Sequence, residues 1–99
     1  MAATAKRRAS SALNAYPLVM IEWVDSMQPA SAWAYLSDPP ALAVVQCKSV
    51  GWLVGETAEV KMLAPNLGNL QDPESAQGSG FMRIPTACVT KETRLVEAA

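Results

Sequence analysis

The sequence predicts a mainly β domain in which five short strands form a small, strongly curved barrel. The first observation is alternation. In LVMIEWVDS (18–26) large apolar residues recur at every second position, which is typical of a strand with one buried face. The second is Gly51 within the apolar run ALAVVQCKSVGWLVG (41–55), because glycine weakens a strand unless the backbone bends, bulges or is closely approached there. The third is the interval TAC (86–88), which leaves room for one tight turn between two strand patterns.

A short helix is predicted after the first strand. QPASAWAYL (28–36) has Pro29 in its first turn and places Trp33 and Leu36 on one face. The Asp38-Pro39-Pro40 sequence ends it, because a residue before proline avoids the helical region.

The remaining strands follow the glycine-containing run, whose pattern changes phase past Gly51, as a bulge or sharp bend requires. They are EVKMLAP (59–65), FMRIP (81–85) and VTKETRLVE (89–97). Between them, residues 66–80 predict a long loop that is rich in glycine. Loops of this length are usually functional or disordered. An open α+β sheet is the alternative to the barrel.

Composition divides the chain into two parts. Its 99 residues fit one domain, and 51% of them are hydrophobic, enough for a core. Residues 1–17 predict a basic N-terminal arm carrying Lys6, Arg7 and Arg8, and residues 18–97 predict the single domain. The arm offers little to bury, so its removal is expected to leave the fold intact. The net charge of −1 selects neither nucleic acid nor an anionic membrane.

Several classes of function are disfavoured. The chain has no histidine, which removes the commonest general base and metal ligand, so we expect no enzyme, no cofactor and no metal site. No apolar run approaches the roughly 20 residues of a membrane span, and no signal-peptide core follows the basic start. The location expected is therefore the cytoplasm. Cys47 and Cys88 are interpreted as two free thiols, with a disulfide left open.

The sequence contains few residues that could act in catalysis. Glu22 and Asp25 could form a carboxylate pair, but at this spacing on a strand they face opposite sides. A solvent-facing acid and a turn-capping aspartate are the preferred interpretation. Ser49 and Thr90 lack any base that could activate them as nucleophiles.

The tryptophans are the candidates for stacking on a ligand ring. Trp23 and Trp33 are predicted to fill the core, whereas Trp52, just past the glycine, is predicted to emerge at the rim as a binding residue.

Arg83 and the long loop suggest an anion site. Arg83 is the one cation of its strand, and it adjoins a glycine-rich segment whose N–H groups could approach an anion. The loop residues assigned to this site are Asn66, Gly68, Gly78 and Gly80. A surface ion pair of Arg83 with Glu59 or Glu92 is the preferred alternative. Lys6, Arg7 and Arg8 could clamp phosphates or nucleic acid, although solubility is the simpler interpretation.

The sequence resembles two groups of known proteins. The order of strand, bent strand, strand, strand, one-turn break and strand, with RIPTACV at the break, is similar to the SH3 and Sm barrel families over roughly residues 18–97. The helix predicted at 28–36 departs from that pattern. The motifs IEWVDS, CKSVGWLV, LAPNLG and RIPTACVTK resemble a group of short bacteriophage and prophage proteins of unknown role. That resemblance implies a phage context and carries no catalytic residue.

Taken together, these features predict a non-enzymatic, phage-encoded binding protein with an anti-defence role, which sequesters a nucleotide signal or binds a host protein. A nucleic-acid-binding accessory barrel and a structural virion or assembly component are the alternatives. Homo-oligomerisation is expected, because the edge candidates LVMIEWV and EVKML carry few of the charges that protect sheet edges.

Overall fold

The computed structural model describes residues 16–98, and within them the fold is mainly β. Seven strands lie in this part of the chain: β1 (Leu18–Asp25), β2 (Val45–Glu56), β3 (Val60–Ala64), β4 (Asn66–Gly68), β5 (Gln77–Ser79), β6 (Met82–Pro85) and β7 (Val89–Arg94). A 3-10 turn, Thr86–Cys88, joins β6 to β7 where the sequence predicts a tight turn. The mainly β class is therefore confirmed. The basic residues of the arm, Lys6, Arg7 and Arg8, lie outside the described residues.

Five strands form one antiparallel sheet in the order β6-β3-β2-β1-β7, and β4 pairs with β5 in a separate sheet. β2 is long because it pairs with two neighbouring strands. Residues 45–52 pair with β1 and residues 52–56 pair with β3, so that Trp52 faces both Leu18 and Ala64. Within residues 16–98 no ladder joins β6 to β7, and the sheet is not closed into a barrel.

One face of the sheet carries the core. Its fully buried members in the described part of the chain are Val19, Ile21, Leu63 and Ile84. Each such side chain contributes about 1.5–3 kcal/mol relative to an exposed one. Half-buried side chains pack around them: Trp23, Leu53 and Val89. The alternation predicted for β1 is confirmed, because Val19 and Ile21 are 2% and 0% exposed.

Small residues on β2 make room for the large residues of β1. Cys47, Ser49 and Gly51 are the cross-strand partners of Trp23, Ile21 and Val19 and so share their face. The indole Nε1 of Trp23 donates a hydrogen bond to Ser49 Oγ at 3.0 Å. The Ser49 hydroxyl lies 3.4 Å from Met82 Sδ on β6. The tryptophan therefore lies across the small side chains, with its polar atom satisfied.

Gly51 is required by a close approach of β3. A Cβ at this position would lie 3.1 Å from the Ala64 carbonyl oxygen and 3.2 Å from Leu63 Cβ. The β1–β2 register continues through Gly51 without interruption. The phase change predicted past this glycine is a register shift between Leu53 and Gly55 in the β2–β3 pairing.

A second register shift, in the β1–β7 pairing, changes which β7 residues face the core. It lies between Glu22 and Trp23. Val89 is opposite Trp23 and Glu92 is opposite Ile21, so both point to the core face although they are three residues apart. Simple alternation along β7 would have placed them on opposite faces.

An ion-pair cluster crosses the core face. Lys61 Nζ on β3 lies 2.7 Å from Glu56 Oε2 on β2 and 3.0 Å from Glu92 Oε1 on β7. β2 and β1 separate β3 from β7, a distance of about 14 Å in a flat sheet. The contact is therefore a consequence of strong curvature. Hydrogen bonds to Glu56 and then to Glu92 raise the pKa of Lys61 above its ordinary value.

The prediction of a helix over 28–36 is wrong. Residues 26–44 form a loop between β1 and β2 that contains no helix, and a turn in it is closed by Asp38 N donating to Tyr35 O at 3.0 Å. A nine-residue helix is marginal in water unless an apolar face packs on the protein. That face, Trp33 and Leu36, is 103% and 97% exposed, so no such packing holds a helix together.

The first prediction concerns the close approach at Gly51. Gly51→Val is expected to lower the free energy of unfolding by about 1–3 kcal/mol, because the new side chain is forced against β3. Gly55→Val is the matched control, since a Cβ there has no atom within 4 Å; its effect should stay within about 0.5 kcal/mol. Urea denaturation measures both, and equal stability of the two variants would contradict this account of Gly51.

The second prediction concerns Lys61. Lys61→Met should lower the free energy of unfolding by about 1–2 kcal/mol near neutral pH, because two charge-assisted hydrogen bonds are lost. Lys48→Met is the control: its ammonium lies 3.7 Å from Glu22, its side chain is 66% exposed, and the expected loss is about 0.5 kcal/mol or less.

The same pair of proteins tests the pKa direction. Because folding raises the pKa of Lys61, its contribution is fully present below the ordinary value of 10.5 and is lost as pH rises through the raised value. The stability difference between wild type and Lys61→Met should hold constant from neutral to mildly alkaline pH and shrink only above that range. A difference that already disappears under mildly alkaline conditions would rule out the raised pKa.

Candidate functional site

The three tryptophans lie on three different surfaces. Trp23 packs against the core, as predicted. Trp33 is fully exposed in the loop after β1, so its assignment to the core is wrong, because no apolar surface lies against it. Trp52 is half-buried and lines a shallow pocket with Tyr16 and Leu95. The three indoles therefore do not form a shared platform.

Arg83 lies apart from the predicted acidic partners. It is exposed on β6, between Met82 and Ile84, and Ile84 points to the opposite, buried face. Glu92 faces the core and pairs with Lys61. Within the described residues no ion pair includes Arg83, so its predicted pairing with Glu59 or Glu92 is wrong.

The residues 66–80, here called the flap, build a substructure of their own. β4 and β5 pair antiparallel, and the pairs are Asn66 with Ser79, Leu67 with Gly78, and Gly68 with Gln77. Gly80, with a φ of +75°, turns the chain into β6. The predicted anion-binding residues of this segment thus occupy a short ladder and the turn after it.

Side-chain hydrogen bonds hold the tip of the flap. Asn69, in the left-handed region with a φ of 56°, donates from Nδ2 to Ser75 Oγ at 2.7 Å. The Ser75 hydroxyl donates to Asp72 Oδ2 at 2.6 Å, and Ser75 N donates to Asp72 O at 3.0 Å. Asparagine and aspartate are favoured in such turns because their short side chains bond to nearby groups.

An apolar cavity, here called the flap pocket, lies between the flap and β2. Its volume is about 200 Å³. Its walls include Tyr16, Val54, Leu67, Leu70, Pro73 and Phe81. A Cβ at Gly78 would lie 3.1 Å from the Phe81 ring, so the missing side chain lets that ring close the pocket floor. No charged side chain is among the described lining residues, and the lining favours an apolar group over a phosphate.

The segment 26–44, here called the β1–β2 loop, presents the largest apolar side chains of the described surface to solvent. Trp33, Leu36, Leu42 and Tyr35 are 103%, 97%, 94% and 85% exposed. Eleven of its nineteen residues are apolar, and Asp38 is its one charged residue. Isolated exposed apolar residues are ordinary, but four large ones within ten residues of sequence favour an interaction segment.

The polar candidates for catalysis serve structural roles. Ser49 accepts from Trp23 and lies against Met82. The Thr90 hydroxyl donates to the Glu22 carbonyl at 3.0 Å. The Glu22 carboxylate pairs with Lys48, and Asp25 Oδ1 accepts from the backbone N–H of Ser26 at 2.8 Å, as its capping role predicts. Both cysteines, Cys47 and Cys88, are free.

The β1–β2 loop is the feature that sequence reasoning missed. A signal was present: Pro29, Pro39 and Pro40 bracket an alanine-rich segment too short for an independent helix. The apolar character of the flap was equally readable from Leu67, Leu70 and Pro73, which lie within the segment interpreted as a glycine-rich anion-binding loop.

Comparisons with known proteins add no assignment. Protein-family models, curated proteins and solved structures each give no match to this chain. Among the residues that the structure describes, no helix has the length and apolar character needed to cross a membrane. The β1–β2 loop and the flap pocket are therefore the candidate functional features of the described residues.

Proposed function

We propose that this chain is a non-enzymatic binding protein that docks on a partner protein through its β1–β2 loop. The observation that carries the proposal is the exposure of Trp33, Tyr35, Leu36 and Leu42, each at least 85% accessible within ten residues of one another. Tryptophan and tyrosine are the residues most often found to dominate protein–protein binding energy. Burying each of these side chains gains about 1.5–3 kcal/mol, a favourable energy that the free chain does not realise.

The chemistry of the surface favours a protein over a nucleotide. A nucleotide signal needs cations or aligned N–H groups for its phosphates. Arg83 is not among the residues that line the flap pocket, and the described lining carries no charge. The β1–β2 loop has the apolar composition with few charges that is found at the centre of protein interfaces.

The biological setting of the proposal is a bacteriophage or prophage protein that binds a host protein in the host cytoplasm, in an anti-defence role. The motif resemblance to short phage proteins supports it. The order of strands around β2, with the 3-10 turn before β7, supports the proposal that the open sheet is related to the SH3 and Sm barrels.

The third prediction tests the loop as the docking element. Tagged wild type, Trp33→Ser and Val96→Ser are expressed in infected or lysogenic cells, and retained proteins are identified by native mass spectrometry. Val96 is the control because it is 84% exposed, apolar and outside the loop. Wild type and Val96→Ser should retain the same protein at defined stoichiometry. Trp33→Ser should retain at least about 30-fold less, the effect of losing one dominant interface side chain.

Other outcomes would contradict the proposal. Equal retention by Trp33→Ser would exclude the loop as the docking element. Retained DNA or RNA that dissociates with salt would favour the nucleic-acid-binding alternative. A retained nucleotide would favour the sequestration alternative, and copurification with phage particles would favour a structural component.

A further inference from the structure

The β1–β2 loop and the flap pocket are complementary in size and chemistry. One is a group of protruding apolar side chains, and the other is an apolar cavity on the same chain. We propose that, in the absence of its partner protein, the chain forms a twofold-symmetric dimer in which Trp33 of each copy occupies the flap pocket of the other. This inference rests on the proposed function, because the same loop is the docking element in both.

The pocket has the volume for one aromatic side chain. An apolar cavity of about 150 Å³ holds a benzene ring in another protein, and the flap pocket measures about 200 Å³. Tyr16 and Phe81 stand at its walls, where edge-to-face contact with an incoming ring is favourable. The hydrogen bonds among Asn69, Asp72 and Ser75 hold the flap in shape before anything enters, which reduces the ordering cost of binding.

The loop does not fill the pocket of its own chain. Trp33 is 103% exposed, and the pocket lining contains no residue of the β1–β2 loop. Within residues 16–98 of one copy, the loop and the pocket therefore do not cover each other. The described pocket lining has no charged residue, and the one charge of the loop, Asp38, lies five residues after Trp33. The entry of Trp33 into the pocket thus desolvates no charged group of the lining.

The loop supplies a large part of the area that a stable interface needs. Each of the two loop aromatics buries about 150–250 Å² when fully covered, so that the pair supplies about 300–500 Å² of the ~800 Å² per partner of a standard interface. The exposed Leu36, Leu42 and Val44 extend this surface along the loop, and the pocket of the same copy adds to it in a reciprocal contact.

In a twofold-symmetric dimer, the loop of each copy is buried and the pocket of each copy is filled. Because each chain carries one loop and one pocket, a reciprocal pair closes both contacts at once, whereas an open head-to-tail arrangement leaves a loop exposed at one end and a pocket empty at the other. Self-association also covers the apolar surface that would otherwise make the free chain prone to aggregation. The host partner then competes with the second copy for the same loop.

The fourth prediction uses sedimentation velocity over a concentration series of the full chain. Wild type and Val96→Ser should show the same monomer–dimer equilibrium. Trp33→Ser, which alters the loop, and Leu70→Lys, which places a charge in the pocket, should each weaken dimerisation by at least about 30-fold. A second variant of the pocket, Ala76→Trp, fills the pocket with a large side chain and replaces Leu70→Lys as the test if that substitution disturbs the flap. Near-ultraviolet circular dichroism shows whether each variant is folded.

The decisive measurement is a mixture of Trp33→Ser and Leu70→Lys. A mixed pair retains one complete contact, the intact loop of the Leu70→Lys copy in the intact pocket of the Trp33→Ser copy. The mixture should therefore dimerise more strongly than either variant alone. A wild type that stays monomeric at all soluble concentrations overturns the proposal, as does a mixture no stronger than its components.

The two proposals fail in different ways. A monomeric wild type whose Trp33→Ser variant loses the host protein overturns the dimer and leaves the proposed function standing. A dimer that is broken by Trp33→Ser, while host binding is unchanged, overturns the proposed function and supports the dimer.

Discussion

The double pairing of β2 is the constraint on which the rest of the structure depends. One strand must hold β1 along its first part and β3 along its second, and the change of partner at Trp52 brings the backbone of β3 onto Gly51. The small residues around Gly51 leave space for the side chains of β1, including Trp23. The β1–β2 loop and the flap both begin where this arrangement ends, at the last pairs of their ladders. The sheet thus fixes where each apolar feature begins.

The core face of this sheet is small and has two parts, an apolar cluster and a group of ion pairs. The apolar part is centred on Ile21, Leu63 and Ile84. Next to it on the same face, Lys61 contacts Glu56 on the neighbouring β2 and, across two intervening strands, Glu92 on β7. A lysine suits this position because its long apolar stem packs beside the core while its ammonium meets the carboxylates. Curvature, core and ion pairs are therefore parts of one arrangement.

The sequence predicted those parts of the fold that depend on local pattern. The alternation of β1, the turn at Thr86–Cys88 and the strand around Ile84 follow from period and spacing, and the structure agrees. The orientation of Glu92 did not follow, because a bulge between β1 and β7 shifts the alternation and depends on the pairing of distant strands. The loop at 26–44 was misread because helix formation there needs a packing partner, which sequence pattern does not reveal.

The candidate site was only partly predictable for the same reason. The flap at 66–80 could be singled out by length and composition, and the structure gives it an ordered form. Its chemistry was inferred from glycines and Arg83, whereas the cavity is formed by leucines and a proline of the flap and by aromatic rings that precede β1 and β6. Which side chains come together around the cavity depends on the fold and cannot be read from local sequence pattern.

The β1–β2 loop contributes little to the stability of the fold, and this affects how its sequence can evolve. The described hydrogen bonding within the loop is one turn, between Asp38 and Tyr35, and the core cluster contains none of its side chains. Substitutions there are expected to cost little in folding. If the loop is the docking element proposed above, selection can act on recognition and on folding separately, and the loop sequence can be replaced while β2 and its neighbours stay unchanged. Sequence divergence among descendants of this chain should therefore concentrate between β1 and β2.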